Sequence, residues 1–272
     1  MEEFFLLAID FQYAGEYLKD WGFLILDPER NSGFTTIDSD SQLSFNTVSM
    51  SNGKLFALTK SEYEDRIEIK FCICKSFCQK KVPVPITLDE SRELKRWLNQ
   101  PTYKKFKLIQ PDWADIYMEG SFNVNNIEFN GKVYFLELTF ISNRPYALHE
   151  PVTYKTTLSS SNLIYKFFDS SDEIGYIYPE LKIKCLKAGE LRIENSNENR
   201  VTIIKNCTVG EIITFTPELL ISTTNPAHKI QNDFNYVFLR VSNSYRNRLN
   251  KLTFSIPVEM ELSYSPYVKA VQ

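Results

Sequence analysis

The chain has 272 residues, 43% hydrophobic and 24% charged, which excludes a disordered polypeptide and allows one large domain or two of ~100–200 residues. A net charge of −3 supplies no field to draw in nucleic acid or an anionic membrane. Five cysteines, an odd number, fit a reducing compartment better than a disulfide framework.

The chain opens on Met1-Glu2-Glu3 before a short apolar run, Phe4 to Ile9. That start is acidic where a signal peptide is basic, and no segment approaches the ~18 apolar residues of a membrane span. Folding in the cytoplasm of whatever cell makes the chain, without membrane insertion, is therefore expected. Phe4 to Ile9 reads as a strand and Tyr13-Ala14-Gly15 as a turn. Further strands are expected at Gly22 to Leu26, Gly33 to Ile37, Leu43 to Val48 and Lys54 to Leu58. The clearest alternation is Ile67, Ile69, Phe71 and Ile73, with Glu68 and Lys70 on the opposite face.

One helix interrupts these strands. Thr87 is a good N-cap, Glu90 completes a capping box, and Asp89 and Glu90 suit the positive end of the dipole. Leu94, Trp97 and Leu98 form one apolar stripe, and Pro101 ends the helix at about Asn99. Such a helix is expected to cover an open sheet edge or barrel end. Strands follow at Lys104 to Ile109, Ala114 to Gly120 and Phe122 to Phe129. Asn130-Gly131 suits a type I′ turn, where both central residues need positive φ. The return strand, Lys132 to Ile141, is apolar on both faces over Val133 to Leu136, which places it inside a sheet or an assembly.

After Asn143-Arg144-Pro145-Tyr146-Ala147 a second β-rich module begins. Strands are expected at Thr153 to Leu158, Leu163 to Phe167, Gly175 to Tyr178, Leu181 to Leu186, Leu191 to Ile193 and Val201 to Ile204. They continue at Ile212 to Phe215, Leu219 to Ser222, Phe234 to Val241, Leu252 to Ile256 and Val258 to Tyr264. Short strands at this spacing describe a β-sandwich. The expected architecture is mainly β: a sandwich or barrel-like domain with one short helix over residues 1–148, and a second sandwich over 149–272. Aromatics at 14%, with 20 Phe and 15 Tyr, fit β-rich cores and protein contacts.

The chemistry-bearing residues point away from an enzyme. Cys72, Cys74 and Cys78 share one face of an extended strand, but zinc and iron–sulfur sites want four ligands, so small buried hydrophobes are the preferred reading. His149 and His228 lie in proline-containing loops without a nucleophile elbow, a phosphate-binding glycine loop or a paired-histidine zinc motif, and read as surface histidines. Asp169, Asp172 and Glu173, with Ser170 and Ser171, lack the glycine and distal glutamate of an EF-hand and read as a solvated turn. Lys104-Lys105 with Lys107, and Arg240 with Arg246 and Arg248, read as solvated faces. Asn206-Cys207-Thr208 matches the glycosylation triplet but carries no weight without secretion. No catalytic, cofactor-binding or metal-binding residue is expected.

Several stretches together resemble the distal tail proteins of siphophages. In the first half these are Trp97-Leu98-Asn99-Gln100-Pro101-Thr102-Tyr103, Asp115-Ile116-Tyr117, Leu138-Thr139-Phe140 and Arg144-Pro145-Tyr146-Ala147. In the second they are Tyr178-Pro179-Glu180-Leu181-Lys182-Ile183, Ile193-Glu194-Asn195, Gly210-Glu211-Ile212-Ile213 and Tyr264-Ser265-Pro266-Tyr267. The early turn departs from that pattern, with Tyr13-Ala14-Gly15 where an asparagine-glycine pair is expected, and the three-cysteine strand has no counterpart. The resemblance implies a non-enzymatic hub at the virion tail tip, its amino-terminal domain forming a homo-hexameric ring. It further implies contacts to the tail tube protein, to tail-tip or tail-associated proteins and to receptor-binding proteins, and a galectin-like second domain. The competing reading is a carbohydrate-binding protein using the second sandwich, where Tyr176, Tyr178, Tyr236, Tyr264 and Tyr267 could stack sugars. Fold alone does not decide between them.

Overall fold

The computed structural model describes residues 10–26, 37–38, 43–49, 55–63, 66–75, 84–110, 113–244 and 246–269. The strand expected at Phe4 to Ile9, most of that at Gly33 to Ile37, and Cys78 lie outside the described residues. The protein is mainly β and falls into two compact units, Met1–Leu148 with Val268–Gln272, and His149–Tyr267.

The first unit contains β1 (Asp10–Tyr13), β2 (Glu16–Tyr17), β3 (Phe23–Leu26), β4 (Ile37–Asp38), β5 (Leu43–Ser49), β6 (Leu55–Tyr63) and β7 (Glu68–Lys75). Helix α1 (Leu88–Leu98) follows, then β8 (Lys104–Ile109), β9 (Ile116–Phe129), β10 (Lys132–Ser142) and β11 (Ala147–His149). The main sheet runs β2-β1-β8-β9-β10-β7-β3, and β5 pairs with β6 in a separate ribbon. Its core is aromatic. Phe106 stacks on Phe140 at 4.3 Å between ring centres, Phe122 meets Tyr13 edge-on at 5.0 Å, and Phe11 lies parallel to Trp97 at 5.8 Å. Each such pair adds ~0.5–1.5 kcal/mol beyond its buried area.

The α1 cap is as the sequence implies. The Glu90 amide donates to Thr87 Oγ1 and the Thr87 amide donates to Glu90 Oε2 at 2.7 Å. The helix buries Leu94, Trp97 and Leu98, and the Trp97 indole donates to the Tyr13 carbonyl oxygen at the end of β1. Asn130 and Gly131 adopt φ of 50° and 71°, and β9 and β10 pair antiparallel from that turn. Ala14 and Gly15 form a similar turn at φ of 53° and 90°.

One expectation fails in β9. Ala114 to Gly120 and Phe122 to Phe129 are not two strands but one continuous strand, Ile116–Phe129. Gly120 does not break it. A Cβ there would lie 2.2 Å from the Ile141 carbonyl oxygen and 2.5 Å from Phe140 Cζ, so the glycine makes room for a neighbouring ring.

The second unit contains β12 (Val152–Leu158), β13 (Ile164–Phe168), β14 (Gly175–Ile177), β15 (Glu180–Cys185), β16 (Gly189–Asn195), β17 (Val201–Cys207) and β18 (Ile212–Phe215). It continues with β19 (Ile221–Thr223), a one-turn helix α2 (Ile230–Asp233), β20 (Val241–Asn243), β21 (Leu249–Phe254) and β22 (Val258–Tyr264); the last strand is β23 (Tyr267–Val268), of which Val268 belongs to the first unit and its core. Two sheets, β12-β22-β15-β18-β19 and β13-β21-β16-β17, share one core. Strand β22 buries Val258, Met260, Leu262 and Tyr264 in strict alternation, which fixes its register.

The segment Phe234 to Val241 is not a continuous strand: Phe234 makes one isolated antiparallel bridge to Ile204, and Val241–Asn243 pairs with β14. Its path is set by side chains. The Asn235 amide donates to the Val201 carbonyl oxygen and accepts from the Ile203 amide, taking the place of a ladder beside β17. Phe234 and Phe238 pack against Phe215, and Tyr236 turns through φ of 57°.

Candidate functional site: an apolar strip and a buried ionic cluster

Alternation along β7, β9 and β10 gives the first unit's sheet two faces. Ile69, Phe71, Ile73, Phe122, Leu136, Leu138 and Phe140 enter the core. The pairing register then places Leu24, Cys74, Phe135 and Ile127 side by side on the opposite face, across β3, β7, β10 and β9. All four are half-buried, and Phe129, two residues beyond Ile127 on the same face, is 68% exposed. Burial pushes the Cys74 thiol up to about 11, as an apolar setting does to a group that must ionise. Cys72 is buried, and no metal-binding cluster of three or more His, Cys, Asp or Glu occurs among the described residues.

The second unit overturns two expectations. His228 is not a surface histidine: its side chain is 2% exposed. Its Nδ1 lies 2.5 Å from Glu211 Oε1, and its Nε2 lies 3.3 Å from Asp233 Oδ2. Glu211, fully buried, also accepts from the Thr208 amide at 2.8 Å, the Thr208 hydroxyl at 3.0 Å and the Thr223 hydroxyl at 2.5 Å. Burial opposes ionisation of Glu211, but hydrogen bonds from Thr223, His228 and Thr208 outweigh it and hold the carboxyl below its ordinary range. Burial likewise opposes the imidazolium, and Glu211, Cys207 and Asp233 together raise His228 above its ordinary value. His228 thus lies between two carboxylates that favour its protonated form, tying the β17–β18 turn to β19 and α2. His149 is half-buried on β11.

Asp169 is not in a solvated turn. It is 2% exposed and accepts from the Ser171 amide and hydroxyl, from Asn243 Nδ2 at 2.7 Å and from the Tyr264 hydroxyl at 3.1 Å. Burial and the neighbouring carboxylate push the Tyr264 phenol far above its usual range. The tyrosines considered for sugar stacking are therefore divided. Tyr264 belongs to the core, while Tyr176 and Tyr178 clasp Arg240. The guanidinium lies 3.7 Å from the Tyr176 ring centre and donates to the Tyr178 hydroxyl from Nε and Nη2. Tyr236 is 63% exposed.

The local sequence held one unused signal for the ionic cluster: Thr208-Val209-Gly210-Glu211 has the spacing of a reciprocal Thr–Glu cap. The partners of Asp169 carry no such signal, because Asn243 and Tyr264 lie far along the chain.

Family profiles match both halves of the chain. The profile described as phage tail protein N-terminal domain covers residues 7–144, and that described as phage tail C-terminal domain covers 146–264. No curated protein matches the sequence. Among solved structures, the fold is similar to the Dit (gp 19.1) protein of phage SPP1, described as a paradigm of the hub adsorption apparatus in phages infecting Gram-positive bacteria. The TM-score is 0.67 at 12% identity, over 94% of this chain and 98% of that one.

Proposed function

The chain belongs to the phage tail protein family defined by these two domains, and we propose that it is a non-enzymatic hub of the tail tip. In this reading copies of the first unit close into a hexameric ring between the tail tube and the tail-tip or receptor-binding proteins, and the galectin-like second unit lies outside it. The observation that carries the reading is the strip Leu24–Cys74–Phe135–Ile127, which extends to the exposed Phe129. A ring needs two different patches on each subunit, joined head to tail, and permanent interfaces are richer in apolar and aromatic side chains than ordinary surface. The family membership and the full-length likeness to the SPP1 protein support the same reading.

Negative-stain imaging and light scattering of the purified chain, alone and with its tail partners, test it. Rings of one defined size are expected, and Phe129→Asp, at an exposed position, is expected to abolish them without lowering the unfolding temperature. A monomer under all these conditions would sink the proposal.

A second reading, saccharide binding, draws on a polar hollow of about 450 Å³ lined by Asn206, Thr208, Asn225, His228, Asn232 and Asp233. Amides and carboxylates of this kind suit sugar hydroxyls. Saturable binding on a glycan array, lost in Asn232→Ala, is its expected signature, and an array without binding retires it.

A further inference from the structure

The two sheets of the second unit treat the charges on their outer faces differently. On β12-β22-β15-β18-β19 the lysines are matched with glutamates: Lys155 with Glu261 at 3.0 Å, Lys184 with Glu259 at 3.0 Å and Lys182 with Glu180 at 2.9 Å. On β13-β21-β16-β17 two lysines face each other instead. The register sets Lys166 of β13 directly opposite Lys251 of β21, a meeting of like charges that destabilises a strand pair. Neither forms an ion pair among the described residues. Arg200, just before β17, is half-buried, and its Nη1 is enclosed by protein without an acceptor. Arg200 and Lys251 line one hollow of about 350 Å³, together with Glu194, Glu198, Asn199 and Thr253.

The charges around this hollow do not balance. Glu198 is engaged elsewhere: its carboxylate accepts from the Ser242 hydroxyl and lies 3.8 Å from Arg240 Nη1. Glu194 is exposed, opposite Thr253 on β21 and Val201 on β17, and forms no ion pair among the described residues. Arg200, Lys251 and the facing Lys166 therefore outweigh Glu194. An enclosed donor without an acceptor is costly, and native proteins keep few of them. We propose that this hollow is a binding site for an oxyanion, the phosphate or carboxylate group of a ligand. A guanidinium offers such a group two parallel N–H bonds, and its planar fork loses little freedom in making them. Lys251 adds a point charge, and the Thr253 hydroxyl and the Asn199 amide are neutral donors at the same hollow. Glu194 is the opposing charge that weakens the site. The hollow shares no lining residue with the one around Asn232, and the inference depends on neither reading above.

The test follows the dichroism unfolding midpoint of the second unit in the full-length protein at constant pH and ionic strength. Chloride is exchanged for inorganic phosphate in one series and for acetate in another. A saturating rise of about 3–6 °C over chloride is expected with at least one of the two anions, and the series that produces it identifies the group. Arg200→Gln and Lys251→Gln should each remove more than half of the rise, and Glu194→Gln should enlarge it. Should Arg200→Gln fail to fold, Lys251→Gln and Glu194→Gln, both on the outer face of the sheet, still decide through their opposite effects. No rise with either anion would overturn the proposal. So would a rise of equal size in the wild type and the variants, which is the mark of a general salt effect.

Discussion

The two units reach stability by different physics. The first is held together by rings: Phe11, Trp97, Phe106, Phe122 and Phe140 fill one interior, and its buried Asp10 is occupied locally by the amides of Phe11 and Lys19. The second inserts polar clusters between its sheets: Glu211 with His228, Asp169 with Asn243 and Tyr264, and Asn195 with Asn250. Aromatic packing is insensitive to pH, whereas a buried ionic cluster responds to it, and removing one member of the cluster leaves another without its partner.

The sharpest way to separate the units is to remove Glu211. Glu211→Ala leaves the buried His228 imidazole without its main partner, and the second unit should lose about 3–5 kcal/mol. All three tryptophans, Trp21, Trp97 and Trp113, belong to the first unit. Tryptophan fluorescence therefore follows the first unit and far-UV circular dichroism follows both. The variant should show an early dichroism transition while the fluorescence transition stays in place. A single transition shifted equally by both probes would mean that the units do not unfold separately.

The converse change falls on Gly120. Gly120→Ala drives a methyl group into the Ile141 carbonyl and the Phe140 ring, and such overpacking costs about 1–3 kcal/mol. Here the fluorescence transition should move and the dichroism change belonging to the second unit should not.

Without mutation, pH should divide the units. Glu211 is held below its ordinary value of 4.5, so its contribution is present above that value and is lost as pH falls through the lowered one. His228 is held above its ordinary 6.5, so its contribution is complete below that value and is lost as pH rises through the raised one. The dichroism midpoint of the second unit should be highest between pH 4.5 and 6.5 and decline on both sides, more steeply than the fluorescence midpoint. A flat profile would remove the ionic cluster from the account of stability.

These contrasts follow the line between what was legible in the sequence and what was not. Thr87 with Glu90, Asn130-Gly131 and the Ile67-to-Ile73 alternation are local signals, and each produced its element because cap, turn and period are satisfied within a few residues. The continuity of β9 was hidden because Gly120 looks like a break until Phe140 is placed over it. The segment Phe234 to Val241 has strand composition, but the Asn235 side chain took over the pairing. His228 and Asp169 looked solvent-facing because their partners come from other strands, and burial of a charge is decided by neighbours that a linear reading does not place. The apolar strip was half visible: Val133 to Leu136 signalled a strand with two greasy faces, while Leu24 and Cys74 entered only through the register.

The smallest predicted effect concerns Ala14, which sits at φ of 53°, where its Cβ crowds the following carbonyl oxygen. Gly15 meets the same demand at the next position without cost, and Asn130-Gly131 meets it at both. Ala14→Asn restores at the first turn the pair already present at the second. Asparagine tolerates this conformation, and unlike glycine it adds little freedom to the unfolded chain, so a gain of about 0.5–1 kcal/mol is expected. The side chain of Ala14 is exposed, so no packing is disturbed. The gain should appear in the tryptophan transition and in the first unit's share of the dichroism change, leaving the second unit's share in place. A loss instead would mean that β1 and β2 are held by their neighbours in a turn that the asparagine side chain cannot share.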